Sequence, residues 1–239
     1  MNKIKNKKGK WIKLICGASN EDIVAIEDLC AIYTAAGVDY IDVAAEESIV
    51  NAAKKGIEWA QKICNNSPGL MISISDGNDI HFRKAKFDPL RCPSNCSRPC
   101  EKVCPTFAID ISGIKESKCY GCGRCINSCP LNLISEYEYN LSKYDLATTL
   151  QKTKPNAVEI HTSINRLDSF AKVVSILKSS ETKLDKISIS CGLNQSLKKL
   201  QEPEDLLRAL WERYDILAEL NIPLILPVSY THLRAHETS

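Results

Sequence analysis

The chain has no apolar run approaching the roughly 20 residues that a bilayer-spanning helix needs, so no transmembrane segment is expected. It has no charge excess either. The formal net charge is +2, and bulk electrostatics give no reason to expect a nucleic-acid or membrane-surface partner. No Gly-x-Gly-x-x-Gly follows the first apolar run, which argues against a dinucleotide-binding sheet. The Lys-rich opening, residues 2–10, has no apolar core behind it; it is a poor secretory signal and reads as a solvated terminus. Histidine is scarce, with 4 in all. His232 and His236 fall in VSYTHLRAHET, residues 228–238, which resembles a translated sequencing-library adapter. Residues 228–239 are therefore expected to be a foreign tail on a truncated chain, and their histidine pair to bind no metal. His81 and His161 remain.

What is present is enough apolar mass for a core, 44% of 239 residues, fitting one large domain or one domain plus a small insert. Cysteine is abundant, 12 residues, and unevenly placed. Cys16, Cys30, Cys64 and Cys191 are scattered through apolar segments; the first three read as small core hydrophobes, and Cys191 as either a reactive thiol or another of these. The other eight fall between Cys92 and Cys129. A secreted disulfide scaffold would be short and loop-rich, which this chain is not. Clustered thiols in a reducing compartment read as metal ligands, and a cytoplasmic location is expected.

Outside that block, strand-like and helix-like segments alternate. Residues 11–18, 40–45, 70–75, 157–162 and 186–191 are short β-branched runs, and a sixth begins at Pro223. Helical periodicity marks a segment that starts at Ser19–Asp22 and stops at Gly37, and further segments over 46–64, 142–153, 167–178 and 204–220. Such βα units build a parallel sheet. The expected fold is α/β: a barrel-like (βα) scaffold truncated at its C-terminus, residues 1–78 and 141–227. A ferredoxin-like α+β module over 79–140 is inserted after the third strand. An open doubly wound sheet is the alternative.

Residues 119–130 read CYGCGRCINSCP, the C-x2-C-x2-C-x3-C-P run of bacterial two-cluster ferredoxins. A tight loop sets three thiolates around one iron–sulfur cube, and a short helix carries the fourth toward another. Gly121 and Gly123 let backbone amides approach the sulfur atoms, and Pro130 is expected to help exclude water. The first half, Cys92, Cys96, Cys100, Cys104 and Pro105, has the same ending but is one residue longer at each earlier step. That leaves open whether its cluster is [4Fe–4S] or [3Fe–4S]. CPTFAID and CPLNLIS repeat across the block. Carried over position by position, the crossed ligation of ferredoxin modules assigns Cys92, Cys96, Cys100 and Cys129 to a first [4Fe–4S] cluster. It assigns Cys104, Cys119, Cys122 and Cys125 to a second. Zinc is the alternative metal, though zinc sites rarely pack four cysteines into one short run ending in Pro, twice over. Lys102, Lys118 and Arg124 flank the ligands and read chiefly as solvated charges.

A barrel would place its chemistry at the C-terminal strand ends, which here carry Asn20, Glu46, Asp76, His161 and Cys191. Glu159 and His161 share one face of their strand and could form a base and its orienter. No motif fixes a catalytic residue.

The layout as a whole, a βα scaffold followed by CPSNCSRPCEKVCP, CYGCGRCINSCP and AVEIH, resembles the cyanobacterial light-dependent period protein family up to Pro227. The resemblance implies an iron–sulfur redox sensor of photosynthetic electron transport in circadian clock input. Its expected partners are an electron-transfer or quinone-linked donor and clock proteins. Two other roles fit the same cofactor: an iron–sulfur oxidoreductase passing electrons to a substrate or second cofactor in the barrel, and a structural cluster protein.

Overall fold

Each apolar run outside the cysteine block forms a strand, and each helical pattern a helix, in the expected order. The computed structural model describes residues 11–16, 22–79, 81–141, 143–192, 203–220 and 222–225. The first part of the scaffold is β1 (Lys13–Ile15), α1 (Ile23–Ala36), β2 (Tyr40–Ala44), α2 (Glu47–Gln61) and β3 (Gly69–Ser75). Next come β4 (Arg83–Lys86), α3 (Pro99–Lys102), β5 (Ile109–Asp110), β6 (Gly113–Ile114), α4 (Arg124–Ser128) and β7 (Ser135–Glu138). The alternation resumes with α5 (Lys143–Thr153), β8 (Ala157–Ser163), α6 (Leu167–Ser179), β9 (Lys186–Gly192), α7 (Pro203–Ala218) and β10 (Leu224–Ile225). Residues 17–21, with the expected helix start at Ser19 and the candidate Asn20, and the tail 226–239 lie outside the described residues.

Among the described residues one sheet runs β1-β2-β3-β8-β9-β10, with every neighbouring pair parallel. Spatial order follows chain order without a reversal. A doubly wound sheet reverses direction so that helices cover both faces; here the crossovers all step the same way, and with the right-handed connection that parallel strands take this keeps the helices on one side. The sheet curls as a half-barrel. Ile41, Val43, Leu70, Ile72, Ile74, Val158, Ile160, Ile187 and Ile189 alternate onto the helix-covered face and join the main core with Ile26, Ile49, Leu150 and Phe170.

The helices are fixed at their ends by local chemistry. Asp22 is the N-cap of α1 and accepts from the Val24 amide at 2.9 Å, and Gly37 closes it in the left-handed region at φ 94. The N-cap Asp22 is the last residue of the stretch Ser19–Asp22 expected to open the helix. α1 and α2 pack backbone to backbone at Gly56, where a Cβ would lie 2.1 Å from the Glu27 carbonyl oxygen.

The segment between β3 and α5 closes on itself, because β4 pairs antiparallel with β7. Its two ends therefore lie side by side, as insertion into a loop requires. It is anchored to the scaffold at several points. Buried Lys84 of β4 pairs with Glu46 at 3.0 Å, donates to the Glu116 carbonyl at 2.8 Å and lies over the Tyr139 ring at 3.9 Å. Arg124 at the start of α4 pairs with Asp22, and Tyr120, 3% exposed, sits in the main core.

Candidate metal centre

The two halves of the cysteine block are built alike. A single 3-10 turn, Pro89–Arg91 or Glu116–Lys118, delivers extended backbone to Cys92 (φ −84, ψ 116) or Cys119 (φ −79, ψ 117). α3 and α4 each follow a left-handed residue, Arg98 (φ 48) or Gly123 (φ 72), and carry Cys100 or Cys125 in their first turn. Each helix leads into a Cys-Pro pair, at Cys104 or Cys129, and then to another left-handed residue, Phe107 (φ 52) or Asn132 (φ 51). The following amides donate back to sulfur: Ala108 N–H to Cys104 Sγ at 3.2 Å and Leu133 N–H to Cys129 Sγ at 3.4 Å. The halves differ between Cys92 and Cys100. The longer spacing there is taken up by a turn in which Cys96 N–H reaches the Pro93 carbonyl at 3.1 Å.

This geometry gathers the thiols, Cys96 apart, into groups. Cys104, Cys119, Cys122 and Cys125 line one cavity, walled by Ala85, Ala108, Ile109, Ile114 and Tyr120. Burial, and then the neighbouring Cys119, Cys122 and Cys104, push the Cys125 thiol up to about 12. Cys92 and Cys100 line a second cavity with Phe87, Pro89 and Ile111. Cys100 is raised by burial and, more weakly, by Cys129 beside it. Among the described residues no three His, Cys, Asp or Glu side chains converge as a single ion requires. The thiols surround spaces, and soft sulfur donors with apolar walls and amides directed at sulfur suit an iron–sulfur cofactor. Loading such a site releases the thiol protons, so the folded site and its cofactor are coupled. Pro130 is exposed rather than shielding, and water is kept out by the apolar wall and Tyr120. Arg124, expected to be a solvated charge, is a tether to α1.

A second polar constellation lies on the concave face of the half-barrel. Lys13 Nζ is 3.0 Å from Asp42 Oδ2 and also donates to Glu159, with side chains 8%, 1% and 6% exposed. Ser73 donates to Asp42 at 2.7 Å and Ser188 to Glu159 at 2.9 Å. His161 continues the row toward solvent: its Nε2 is 3.5 Å from Glu159, its Nδ1 is 3.6 Å from Asp79, and Phe82 stacks edge-on at 5.2 Å. Burial alone would lower the His161 pKa, but the Asp79 and Glu159 carboxylates outweigh it and hold it above the ordinary value. Burial likewise lowers Lys13, and Asp42 and Glu159 reverse that. Asp42 is raised, by burial first and then by the like charge of Glu159.

Glu159 and His161 do meet on one face, but Glu159 is already engaged by Lys13 and Ser188. Glu46 is the counter-ion of Lys84 rather than a free strand-end acid. Asp76 accepts from Thr162 at 2.5 Å and lies 3.0 Å from Arg166, and burial raises its carboxyl. Cys191 packs against the helix-side core with its thiol raised by burial, which keeps it protonated. Lys13 and Asp42 were not singled out from sequence. Their signal was a lone charge at the centre of an apolar strand, as in Trp11-Ile-Lys-Leu-Ile-Cys16 and Tyr40-Ile-Asp-Val-Ala44.

Comparison with known proteins bears on the same segments. The family model described as LdpA Fe-S cluster-binding domain matches residues 92–140. The Light dependent period A C-terminal domain model matches residues 149–228. Light dependent period A of Synechococcus elongatus (strain ATCC 33912 / PCC 7942 / FACHB-805) is 43% identical over 184 residues, 77% of this chain and 52% of that protein. The arsenate respiratory reductase iron-sulfur subunit ArrB of Shewanella sp. (strain ANA-3) is 31% identical over 90 residues, 36% of this chain and 34% of that one. The chain thus spans about half the length of the period protein it matches, 52%. With a cluster-binding domain over the cysteine block and the C-terminal domain over the second part of the scaffold, the chain belongs to the Light dependent period A family.

Proposed function

We propose that this protein holds two [4Fe–4S] clusters and acts as a redox sensor or electron relay in redox input to the circadian clock. The first cluster is assigned to Cys92, Cys96, Cys100 and Cys129, the second to Cys104, Cys119, Cys122 and Cys125. Both belong to a module over residues 79–140 set between scaffold segments 1–78 and 141–227. One observation carries the reading: four of the eight thiols line a single apolar cavity, while Cys100 of the other half neighbours Cys129. Bound clusters of this kind accept and release single electrons at low potential, on the order of −0.4 V within a wide range.

The chain's own residues account for the rest. The amides of Arg98, Ala108 and Leu133 point at sulfur and offset its negative charge, which favours the reduced state. Tyr120 and the alanine and isoleucine wall keep water from the cavity of Cys104, Cys119, Cys122 and Cys125. Arg124–Asp22 and Lys84–Glu46 tie the ligand loops to the starts of α1 and α2, so a change at the ligands reaches scaffold helices directly. The relative's name links it to a light-dependent period. Clock proteins and an electron-transfer or quinone-linked donor in the cytoplasm are the partners that follow from this reading.

The scaffold is proposed to be a (βα) barrel lacking its last units. Ile15 in the edge strand β1, Val24 on α1, and Leu207 and Trp211 on α7 are exposed apolar side chains, which further βα units of a closed barrel would help to cover. A second reading, an iron–sulfur oxidoreductase, is favoured by Tyr120 lining a cleft with Ala44, Glu46 and Ser75 at the C-terminal ends of β2 and β3.

Anaerobic preparation with iron and sulfide counting and EPR tests the proposal. About eight irons per chain are expected, or about seven if the first site holds [3Fe–4S]. Cys125→Ser should remove about half of the iron and weaken folding of the module, while Cys30→Ser should leave the iron unchanged. Colourless, iron-free or zinc-loaded protein overturns the reading. Bound flavin or substrate-dependent reoxidation selects the oxidoreductase.

A further inference from the structure

The two halves of the cysteine block share a backbone, so their differences in exposure are informative. In the second half the linker residues Tyr120 and Gly121 are buried against the scaffold. In the first half the corresponding linker, Pro93, Ser94 and Asn95, is exposed throughout. The cavity lined by Cys92 and Cys100 therefore has the open wall, and electron exchange with another protein favours the shortest approach.

Apolar side chains stand at that wall where the fold gains nothing from them. Leu90 is 94% exposed in the Pro89–Arg91 turn, held there by its own amide to Asp88 at 3.0 Å, and its counterpart in the second half is Ser117. Ile111 is 72% exposed at the tip of the β5–β6 hairpin, where turn chemistry ordinarily calls for a polar residue or glycine. Pro89, next to Leu90, and Ile111 line the same cavity as Cys92 and Cys100.

The exposed charges of the module lean to the positive side. Glu101, Asp110 and Glu136 are each neutralised within the module, by Arg98 at 3.2 Å, Lys115 at 2.7 Å and Arg83 at 2.8 Å. Among the described residues Lys86, Arg91, Lys102 and Lys118 are exposed and take part in no ion pair. Of the module's remaining exposed acids, Asp88, Glu116 and Glu138, Asp88 is engaged in capping the Leu90 turn and Glu116 accepts from the Tyr137 hydroxyl.

We propose that Leu90 and Ile111, rimmed by Arg91 and Lys102, form the docking surface for a small acidic one-electron carrier protein, which exchanges electrons through the Cys92/Cys100 side of the module. A small apolar centre with a charged rim is the anatomy of a transient electron-transfer interface, which needs little buried area. This assignment rests on the two-cluster reading above.

The test uses the anaerobically prepared protein and a plant-type [2Fe–2S] ferredoxin as the acidic probe, with binding followed by calorimetry and association by stopped flow. Arg91→Glu with Lys102→Glu should slow association about ten-fold and flatten its dependence on salt. Leu90→Ser, a change at a fully exposed side chain, should weaken binding with iron content unchanged. Dithionite reduction, followed by EPR, is the control that does not depend on docking. If dithionite reduces the clusters but binding and its salt dependence are the same in all variants, the docking surface is wrong and the cluster reading stands. If dithionite finds no reducible cluster, the reading beneath it fails instead. Should the double charge reversal misfold, Leu90→Ser decides alone.

Discussion

Replacing Lys13 by methionine gives the most demanding test of the scaffold, because it removes one charge and almost no volume. Lys13 Nζ lies between two carboxylates, 3.0 Å from Asp42 and hydrogen-bonded to Glu159, with Asp42 1% exposed. Without it each acid keeps one hydroxyl donor, Ser73 or Ser188, and the two negative charges face each other in the core. Stripping one partner from a buried ion network costs about 3–5 kcal/mol, a large share of the 5–15 kcal/mol that holds a typical fold together.

Lys13→Met also has a pH signature. With the cation gone, burial and the like charge of Glu159 are unopposed, and the folded-state Asp42 carboxyl is held still further above its unfolded value of about 4. A carboxyl raised in the folded state contributes stability that is present below its unfolded pKa and lost as pH climbs through its folded pKa. The deficit of Lys13→Met should therefore be full at pH 8 and shrink toward pH 5. Urea unfolding of the anaerobic protein, followed by far-UV circular dichroism, reads it out. With a slope of about 2 kcal/mol per molar, a loss of 3–5 kcal/mol moves the midpoint down by about 1.5–2.5 M. Adding Glu159→Gln should restore part of the loss by removing the facing charge. A midpoint within about 0.5 M of the parent at pH 8, or a deficit that does not change with pH, would refute the buried-network account.

Other residues give narrower tests. His161 is raised in the folded state, so its contribution is complete below its unfolded pKa and declines as pH rises above about 6.5; His161→Gln should flatten the stability profile there, by at most about 1.4 kcal/mol per pH unit, in urea titrations. Gly56→Ala gains about 1 kcal/mol of helix propensity but drives a Cβ into the Glu27 carbonyl, so thermal unfolding should show a net loss of about 1–3 kcal/mol. Phe107 holds φ 52 while 78% exposed, and its repeat counterpart Asn132 holds φ 51. Phe107→Asn should therefore raise the melting temperature, by a gain of about 0.5–1 kcal/mol, with iron content unchanged.

The cysteine block was legible because its information is local. Cysteine spacing, the Cys-Pro endings and the internal repeat all lie within one stretch of chain, and the folded geometry repeats with them, down to paired left-handed residues at Phe107 and Asn132. The βα order was legible for the same reason, since helical and strand periodicity are properties of short windows. How the module sits on the scaffold was not. Lys84 in the strand Arg83–Lys86 looks like any solvated charge until Glu46, the Glu116 carbonyl and the Tyr139 ring are brought around it from elsewhere in the chain. Tyr120 reads as a spacer between two ligands and is in fact part of the scaffold core. Long-range partners of a charged or aromatic residue leave no periodic trace.

The concave face joins these two kinds of information. Lys13, Asp42 and Glu159 each interrupt an apolar strand, which alternation can detect, but whether they meet depends on register between strands far apart in sequence. The observed pairing sets Asp42 beside Met71, and Ser73 beside Glu159, which itself faces Ser188, so the charges meet across a staggered register on the concave face of the half-barrel. Their partners are internal: Lys13 spans the two acids and approaches the Met71 sulfur at 3.8 Å, Ser73 serves Asp42, and Ser188 serves Glu159. A catalytic cradle keeps donors or acceptors free for its substrate, whereas this network spends them on holding five strands in register. On this face the charges act as a strut, and the segment that gathers the thiols is braced against the same scaffold through Lys84, Arg124 and Tyr120.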